Sequence, residues 1–170
     1  MNEKCIYFVE GSCEKQLIDS LKQKPGKLIP GKVKVFNPVQ NRLPKSLLLP
    51  IQPGTIVVLV FDTDKPDESV LSSNISLLTK YCCKVRIVNL LQVMNIEDEL
   101  VRSTDVKSAP DLTKSSGVNA FKSDFCKLPA ASCRNLLERH HIDVGKLWCT
   151  PAPAPFDRLS RNETIVKIHP

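Results

Sequence analysis

The segment Thr55–Phe61, TIVVLVF, is the most apolar β-branched run in the chain and constrains the fold most strongly. A run in which six consecutive positions, 56–61, are apolar is expected to be buried on both faces, which is typical of a central strand in a parallel sheet. Shorter apolar runs predict further strands at residues 4–9, 32–36 and 84–89, and amphipathic patterns predict helices at 14–23 and 68–81. Strands that alternate with helices indicate an α/β fold with a mostly parallel, Rossmann-like sheet flanked by helices.

The pattern of strands and helices covers residues 1–105, which we expect to form one α/β domain. Residues 106–149 have a helical character and predict an extension packed on that domain. Residues 150–170 contain prolines at 151, 153 and 155 and predict an extended, Pro-rich tail with no core signal. No apolar run reaches 18 residues, so the sequence predicts no membrane partner. The seven cysteines, an odd number, favour reduced thiols and a cytoplasmic protein.

Acidic residues follow two of the predicted strands. Glu10 comes directly after the first strand, and Asp62 and Asp64 come directly after the central one. Ligands of α/β proteins gather at the carboxyl ends of the strands, and two residues that are two apart in an extended chain leave the same face. Glu14 falls in the next helix's first turn, where the helix dipole tolerates a negative charge. Crowded carboxylates favour a hard cation, Mg²⁺ or Mn²⁺, although each motif alone is also typical of solvated acids at a turn or helix start.

The motifs VEGSCE, after the first strand, and FDTD, after the central strand, together resemble the toprim domain of topoisomerases, primases and several nucleases. The resemblance covers residues 4–105 and implies that Glu10, Asp62 and Asp64 are metal-binding and catalytic groups. The nearest likeness is to nucleases of the OLD (overcoming lysogenization defect) family and related anti-phage defence proteins. In these proteins an acid four residues after the first Glu, here Glu14, joins the metal site.

The same resemblance implies two further contributions to the site. The later acidic helix start NIEDEL would bring Glu97, with Glu99 beside it, toward the metal ions. The alternative is an ordinary acidic first turn of a helix capped by Asn95. OLD-type nucleases also use a downstream lysine to stabilise the charge of the transition state, and Lys122 is the favoured candidate among Lys107, Lys114, Lys122 and Lys127.

The implied function is a metal-dependent nuclease that cleaves phosphodiester bonds in DNA or RNA, as an effector of a prokaryotic anti-phage defence module. The chain has no Walker A motif, so any ATPase would be a separate partner protein, as would a regulator, and homo-oligomers are compatible with the sequence. Two alternatives stay open: a small toprim ribonuclease of RNA maturation, and a non-catalytic toprim module that binds nucleic acid or regulates another protein.

The net charge of +6 is compatible with a polyanionic partner. Residues 22–45 contain seven basic side chains and no acid, and two more arginines lie on a predicted helix at 132–148. A solvated basic face is the alternative interpretation. The predicted nucleic-acid-binding residues are Lys22, Lys24, Lys27, Lys32, Lys34, Arg42, Lys45, Arg134 and Arg139.

Overall fold

The computed structural model describes residues 4–168, which contain a four-stranded parallel sheet. Residues 1–3 and 169–170, at the ends of the predicted domain and tail, lie outside the described residues. The strands have the spatial order β2-β1-β3-β4, with β3 pairing β1 on one side and β4 on the other. They are β1 (Cys5–Val9), β2 (Lys32–Val35), β3 (Ile56–Asp62) and β4 (Arg86–Gln92). This arrangement confirms the predicted α/β class with its parallel, Rossmann-like sheet.

Helices cover both faces of the sheet and continue beyond the last strand. The described residues contain α1 (Ser12–Leu21), α2 (Lys45–Leu48), α3 (Ser69–Tyr81), α4 (Ile96–Ser103), α5 (Ala109–Thr113), α6 (Val118–Lys127) and α7 (Ala130–Arg139), with two 3₁₀ turns at Phe156–Arg158 and Glu163–Ile165. The helices α5 to α7 confirm the predicted helical character of the region after residue 105. None of the helices within residues 4–168 is long and apolar enough to cross a membrane.

The central strand β3 divides the core into two layers because its residues point alternately to opposite faces. Val58 and Val60 pack in one layer with α1, α4, α6 and α7. Val57, Leu59 and Phe61 pack in the other layer with α3 and the segment 39–51. Both layers are apolar, which explains why Ile56–Phe61 has no polar position.

Residues 150–168 are part of the core, contrary to the expectation of a tail without a core role. Phe156 and Val166 are fully buried, and the ring of Phe156 lies 5.8 Å from that of Phe61. The segment passes the outer edge of β4, where Asn89 donates its backbone N–H to the carbonyl of Arg161 over 3.1 Å. It then forms an antiparallel bridge to Leu28. Prolines keep this segment irregular, but its apolar side chains complete the core.

Candidate active site

The ends of β1 and β3 bring two carboxylates together. The backbone N–H of Glu10 still donates to the carbonyl of Val60, over 3.2 Å, so the ladder between the two strands fixes Glu10. Asp62 is the last residue of β3, and its backbone N–H donates to Oε2 of Glu10 over 3.1 Å. The structure therefore places these two predicted site residues in direct contact at the carboxyl edge of the sheet.

Helix α1 adds a third acid, because it begins immediately after this strand end. Gly11 is its N-cap, and Glu14 lies in the first turn with 4% of its surface exposed. A Cβ atom on Gly11 would lie 3.0 Å from Oε2 of Glu14, tighter than ordinary van der Waals contact. Glycine at this position thus leaves room for the Glu14 carboxylate over the turn.

Helices α4 and α6 bring an ion pair to the same edge. Asn95 caps α4, its side chain accepting the backbone N–H of Asp98 over 2.9 Å, and Glu97 follows in the first turn with 9% of its surface exposed. Oε1 of Glu97 lies 2.9 Å from Nζ of Lys122, which α6 contributes. The hydrogen bond to Glu97 raises the pKa of Lys122, so this lysine carries its positive charge at neutral pH.

A cleft of about 320 Å³ opens at this edge of the sheet. Four predicted site residues line it: Glu10, Glu14, Asp62 and Lys122. Its other lining residues are Gly11, Ser12, Cys13, Ile96 and Cys126. A fifth predicted site residue, Glu97, is held beside the cleft by its ion pair with Lys122.

Two carboxyls of the cleft, those of Asp62 and Glu14, have raised pKa values because their surroundings disfavour the charged form. The pKa of Asp62 is raised from its ordinary 3.8 to about 9, first by burial and then by four neighbouring carboxylates, those of Glu14, Glu10, Asp64 and Glu97. Burial also raises the pKa of Glu14. The negative charges of Glu10 and Glu97 raise it further, whereas hydrogen bonds from backbone N–H groups lower it in part. The Oδ1 atom of Asp62 is buried without a hydrogen-bond partner among the described residues. A proton or a cation would relieve this repulsion.

The donor set fits a hard divalent cation in its chemistry, since carboxylate oxygens are what Mg²⁺ and Mn²⁺ prefer. Within residues 4–168, however, no group of three or more His, Cys, Asp or Glu side chains is disposed to hold a metal ion as it stands. Two of the candidate oxygens already have partners, Oε2 of Glu10 with the N–H of Asp62 and Oε1 of Glu97 with Lys122. The unpartnered Oδ1 of Asp62 is the oxygen that best fits a cation.

Two acids of the sequence motifs lie outside this cleft. Asp64 is exposed, beyond the end of β3, and does not line the cleft. Glu99 is fully buried between Arg102, 2.7 Å from its Oε2, and the backbone N–H of Trp148, which donates to its Oε1. Glu99 therefore anchors the helical extension to α4, and the idea that it turns toward a metal is wrong because both its oxygens are engaged elsewhere.

None of the nine predicted nucleic-acid-binding residues lines the cleft. Lys22 follows α1, about 15 Å along the helix axis from the cleft, and bonds to Asp19 and to the carbonyl of Gly31 over 2.9 and 2.7 Å. Arg42 and Lys45 border a separate groove. Apart from Arg134, the remaining predicted residues also lie away from the cleft; they are Lys24, Lys27, Lys32, Lys34 and Arg139.

Arg134 is buried, whereas the sequence predicts an exposed side chain that binds phosphate. It is 9% exposed, and its guanidinium bonds to Glu138 over 2.8 Å and to the carbonyl of Gln23. These contacts hold α7 against the end of α1, so Arg134 is a packing residue whose long side chain crosses between helices.

The sequence interpretation missed three residues near the cleft. Sγ of Cys13 lies 3.2 Å from Sγ of Cys126, although 113 positions separate them, and no local pattern could reveal that contact. Gln92 is the register partner of Asp62 at the end of β4, and its fully buried side-chain amide has no hydrogen-bond partner among the described residues. The available signal for Gln92 was its position as a polar residue directly after the apolar pair Leu90–Leu91.

Comparison of the chain with models of protein families, with curated proteins and with solved structures finds no match. The likeness to toprim domains thus depends on the two motifs and on nothing in these comparisons. What the fold and the cleft define is an α/β protein with acidic side chains and one lysine at the carboxyl edge of its sheet.

Proposed function

We propose that this protein is a nuclease that hydrolyses phosphodiester bonds in DNA or RNA and depends on Mg²⁺ or Mn²⁺. The observation that carries the proposal is the contact of Glu10 with Asp62 beside the buried Glu14, in a cleft that also holds Lys122. Burial and the neighbouring carboxylates disfavour a negative charge on Asp62, and its Oδ1 has no partner among the described residues, so both observations support a role in holding a cation.

Each residue has a distinct role in this proposal. Glu10 and Asp62 would be the primary metal ligands, with Glu14 and Glu97 as supporting ones. When bound, the ion would supply charge neutralisation at the phosphate and activation of water. Asp64, which is exposed outside the cleft, would complete the coordination.

Lys122 is proposed to stabilise the charge that develops on the phosphate. Its side chain is 51% exposed, so it can reach a substrate in the open part of the cleft, and Glu97 positions its Nζ through the ion pair. A positive charge fixed in place before the reaction needs no reorganisation when the phosphate becomes more negative. The net charge of +6 supports a polyanionic substrate.

The cellular setting is proposed from the resemblance alone. It comprises a toprim-type effector in a prokaryotic anti-phage defence module, a cytoplasmic location, and control by a separate ATPase or regulatory protein. The observation that favours the second candidate, a non-catalytic nucleic-acid-binding or regulatory module, is that within residues 4–168 no acidic group is disposed to hold a metal as it stands.

Cleavage assays with Mn²⁺ and Mg²⁺ on single- and double-stranded DNA and on RNA test the proposal. Wild-type protein should cleave at least one substrate and should melt at a higher temperature with Mn²⁺ than in chelator. Glu10→Gln and Asp62→Asn should each abolish both effects. Asp67→Asn, which removes an exposed acid from the loop after β3, should leave both intact.

Two results would contradict the proposal in different ways. If no substrate is cut and Mn²⁺ leaves the melting temperature unchanged, the nuclease assignment is wrong and the binding module is favoured. If cleavage survives both site substitutions, the reaction takes place elsewhere on the molecule.

A further inference from the structure

Two thiols face each other on the wall of the cleft. Cys13 is the second residue of α1, and Cys126 lies near the end of α6. Their sulfur atoms are 3.2 Å apart, and both residues line the cleft. Cys13 is 8% exposed, whereas Cys126 is more accessible. The contact joins two helices that only the tertiary fold brings together.

Both helices carry residues of the proposed active site close to the thiols. Cys13 immediately precedes Glu14. Cys126 follows Lys122 by four residues, so the two side chains lie one helical turn apart on the same face of α6. The sulfur of Cys13 also lies 3.9 Å from the backbone carbonyl of Lys122. Any covalent link between the thiols would therefore fix Lys122 relative to Glu14.

We propose that Cys13 and Cys126 are a redox-sensitive pair that forms a reversible disulfide and ties α6 to α1 across the cleft. A disulfide has an S–S bond of about 2.05 Å, so the sulfurs have to approach by about 1.2 Å from their present separation. Rotation of the two side chains about their Cα–Cβ bonds has to supply this shift. The oxidant would be a peroxide, which reaches Cys126 from the open side of the cleft.

The reaction balances with hydrogen peroxide as the oxidant. The thiolate of Cys126 attacks one peroxide oxygen, the S–O bond forms as the O–O bond breaks, and the departing hydroxide takes up a proton to become water. The sulfur of Cys13 then attacks the resulting sulfenic acid, so that the S–S bond forms and the S–O bond breaks. The released hydroxide takes the proton of the Cys13 thiol and leaves as a second water. A dithiol reductant reverses the process.

The effect on activity rests on the proposed nuclease function. The disulfide would draw the end of α6 toward α1 and shift Lys122 from the position that it holds against Glu97. A displacement of a catalytic group by about 1 Å can cost about 100-fold in rate, so we expect at least about a tenfold loss of cleavage in the oxidised protein.

Peptide mapping of the full chain tests the pair without reference to activity. Reduced protein is treated with one equivalent of hydrogen peroxide, alkylated and digested without reductant. The expected main product is a peptide joining Cys13 to Cys126, which dithiothreitol removes and which Cys126→Ser abolishes. The matched control Cys83→Ser, at an exposed thiol, should form the same product in the same yield.

Other products would overturn the proposal. These are sulfinic acid at Cys126 with no cross-link, or disulfides made mainly through the exposed Cys83 and Cys149. Because Cys13 is buried and its substitution risks the fold, amide hydrogen exchange of wild-type α6 is the second readout. Exchange at 118–127 should slow on oxidation, and unchanged exchange would contradict the tie between the helices.

Activity measurements separate the two proposals. A protein that forms the disulfide but cleaves nothing when reduced refutes the nuclease and supports the thiol pair. If the reduced and the oxidised protein cleave equally well, the disulfide does not control the cleavage rate, and the nuclease assignment stands.

Discussion

Asp62→Asn should stabilise the protein in the absence of divalent cations, and by more at high pH than at low pH. Asparagine keeps the size of the side chain and removes its charge. The folded pKa of Asp62 is about 9, against an ordinary 3.8. Between these values the folded wild-type protein binds one proton more than the unfolded chain, so this group makes the folded state less stable as the pH rises.

The magnitude follows from the slope of this linkage. One pKa unit corresponds to about 1.4 kcal/mol, so the wild-type free energy of unfolding falls by about that amount per pH unit across the window. The Asn variant lacks the titration. From about pH 5.5 to about pH 8 the advantage of Asp62→Asn should therefore grow by about 3 kcal/mol. Any fixed cost of burying the amide cancels in this difference, because it is the same at both pH values.

Denaturant unfolding in EDTA, at both pH values and for both proteins, measures the effect. The variant Asp157→Asn removes a carboxylate from an exposed position and should show a nearly pH-independent difference from wild type. An advantage of Asp62→Asn that stays constant with pH would refute the reasoning, since it would mean that Asp62 ionises normally in the folded protein.

Two further substitutions test other parts of the structure. Gly11→Ala should change the stability in EDTA by less than about 1 kcal/mol, because the Gly11 backbone is extended; it should reduce the Mn²⁺-induced rise in melting temperature, because its Cβ displaces the Glu14 carboxylate. An undiminished rise would show that Glu14 contributes nothing to cation binding. Phe156→Ala should lower the free energy of unfolding by about 3 kcal/mol, as for other buried aromatics, whereas Pro151→Ala at an exposed position should change it by less than about 1 kcal/mol. Equal effects at these two positions would contradict the packing of the 150–168 segment.

The sheet could be predicted from the sequence because local composition decides it. The run TIVVLVF can only be buried on both faces, and the structure has β3 at Ile56–Asp62, one residue from the predicted bounds. The meeting of Glu10 and Asp62 was predictable for the same reason, since strand direction alone places both at one edge of a parallel sheet.

Features that depend on packing between distant segments could not be predicted in this way. The contact between Cys13 and Cys126 depends on how α6 lies against α1. The sequence of either helix alone does not indicate which helix it packs against. The sequence shows the positive charge of Arg134 but not its burial against Glu138, which is why it was predicted to bind phosphate. Prolines near Phe156 indicated irregular backbone correctly, but they said nothing about where its ring would pack.

The segment that passes along β4 also determines when this protein can finish folding during synthesis. Phe156, Arg161 and Lys167 contact Phe61, Asn89 and Leu28, all of which leave the ribosome earlier. Until residue 161 has emerged, the nascent chain holds a sheet with an open β4 edge and an aromatic core that Phe156 has not yet covered, and both favour association with other chains. Chains released early, near residue 150, should therefore depend on chaperones, whereas those that extend past residue 161 cover the β4 edge themselves.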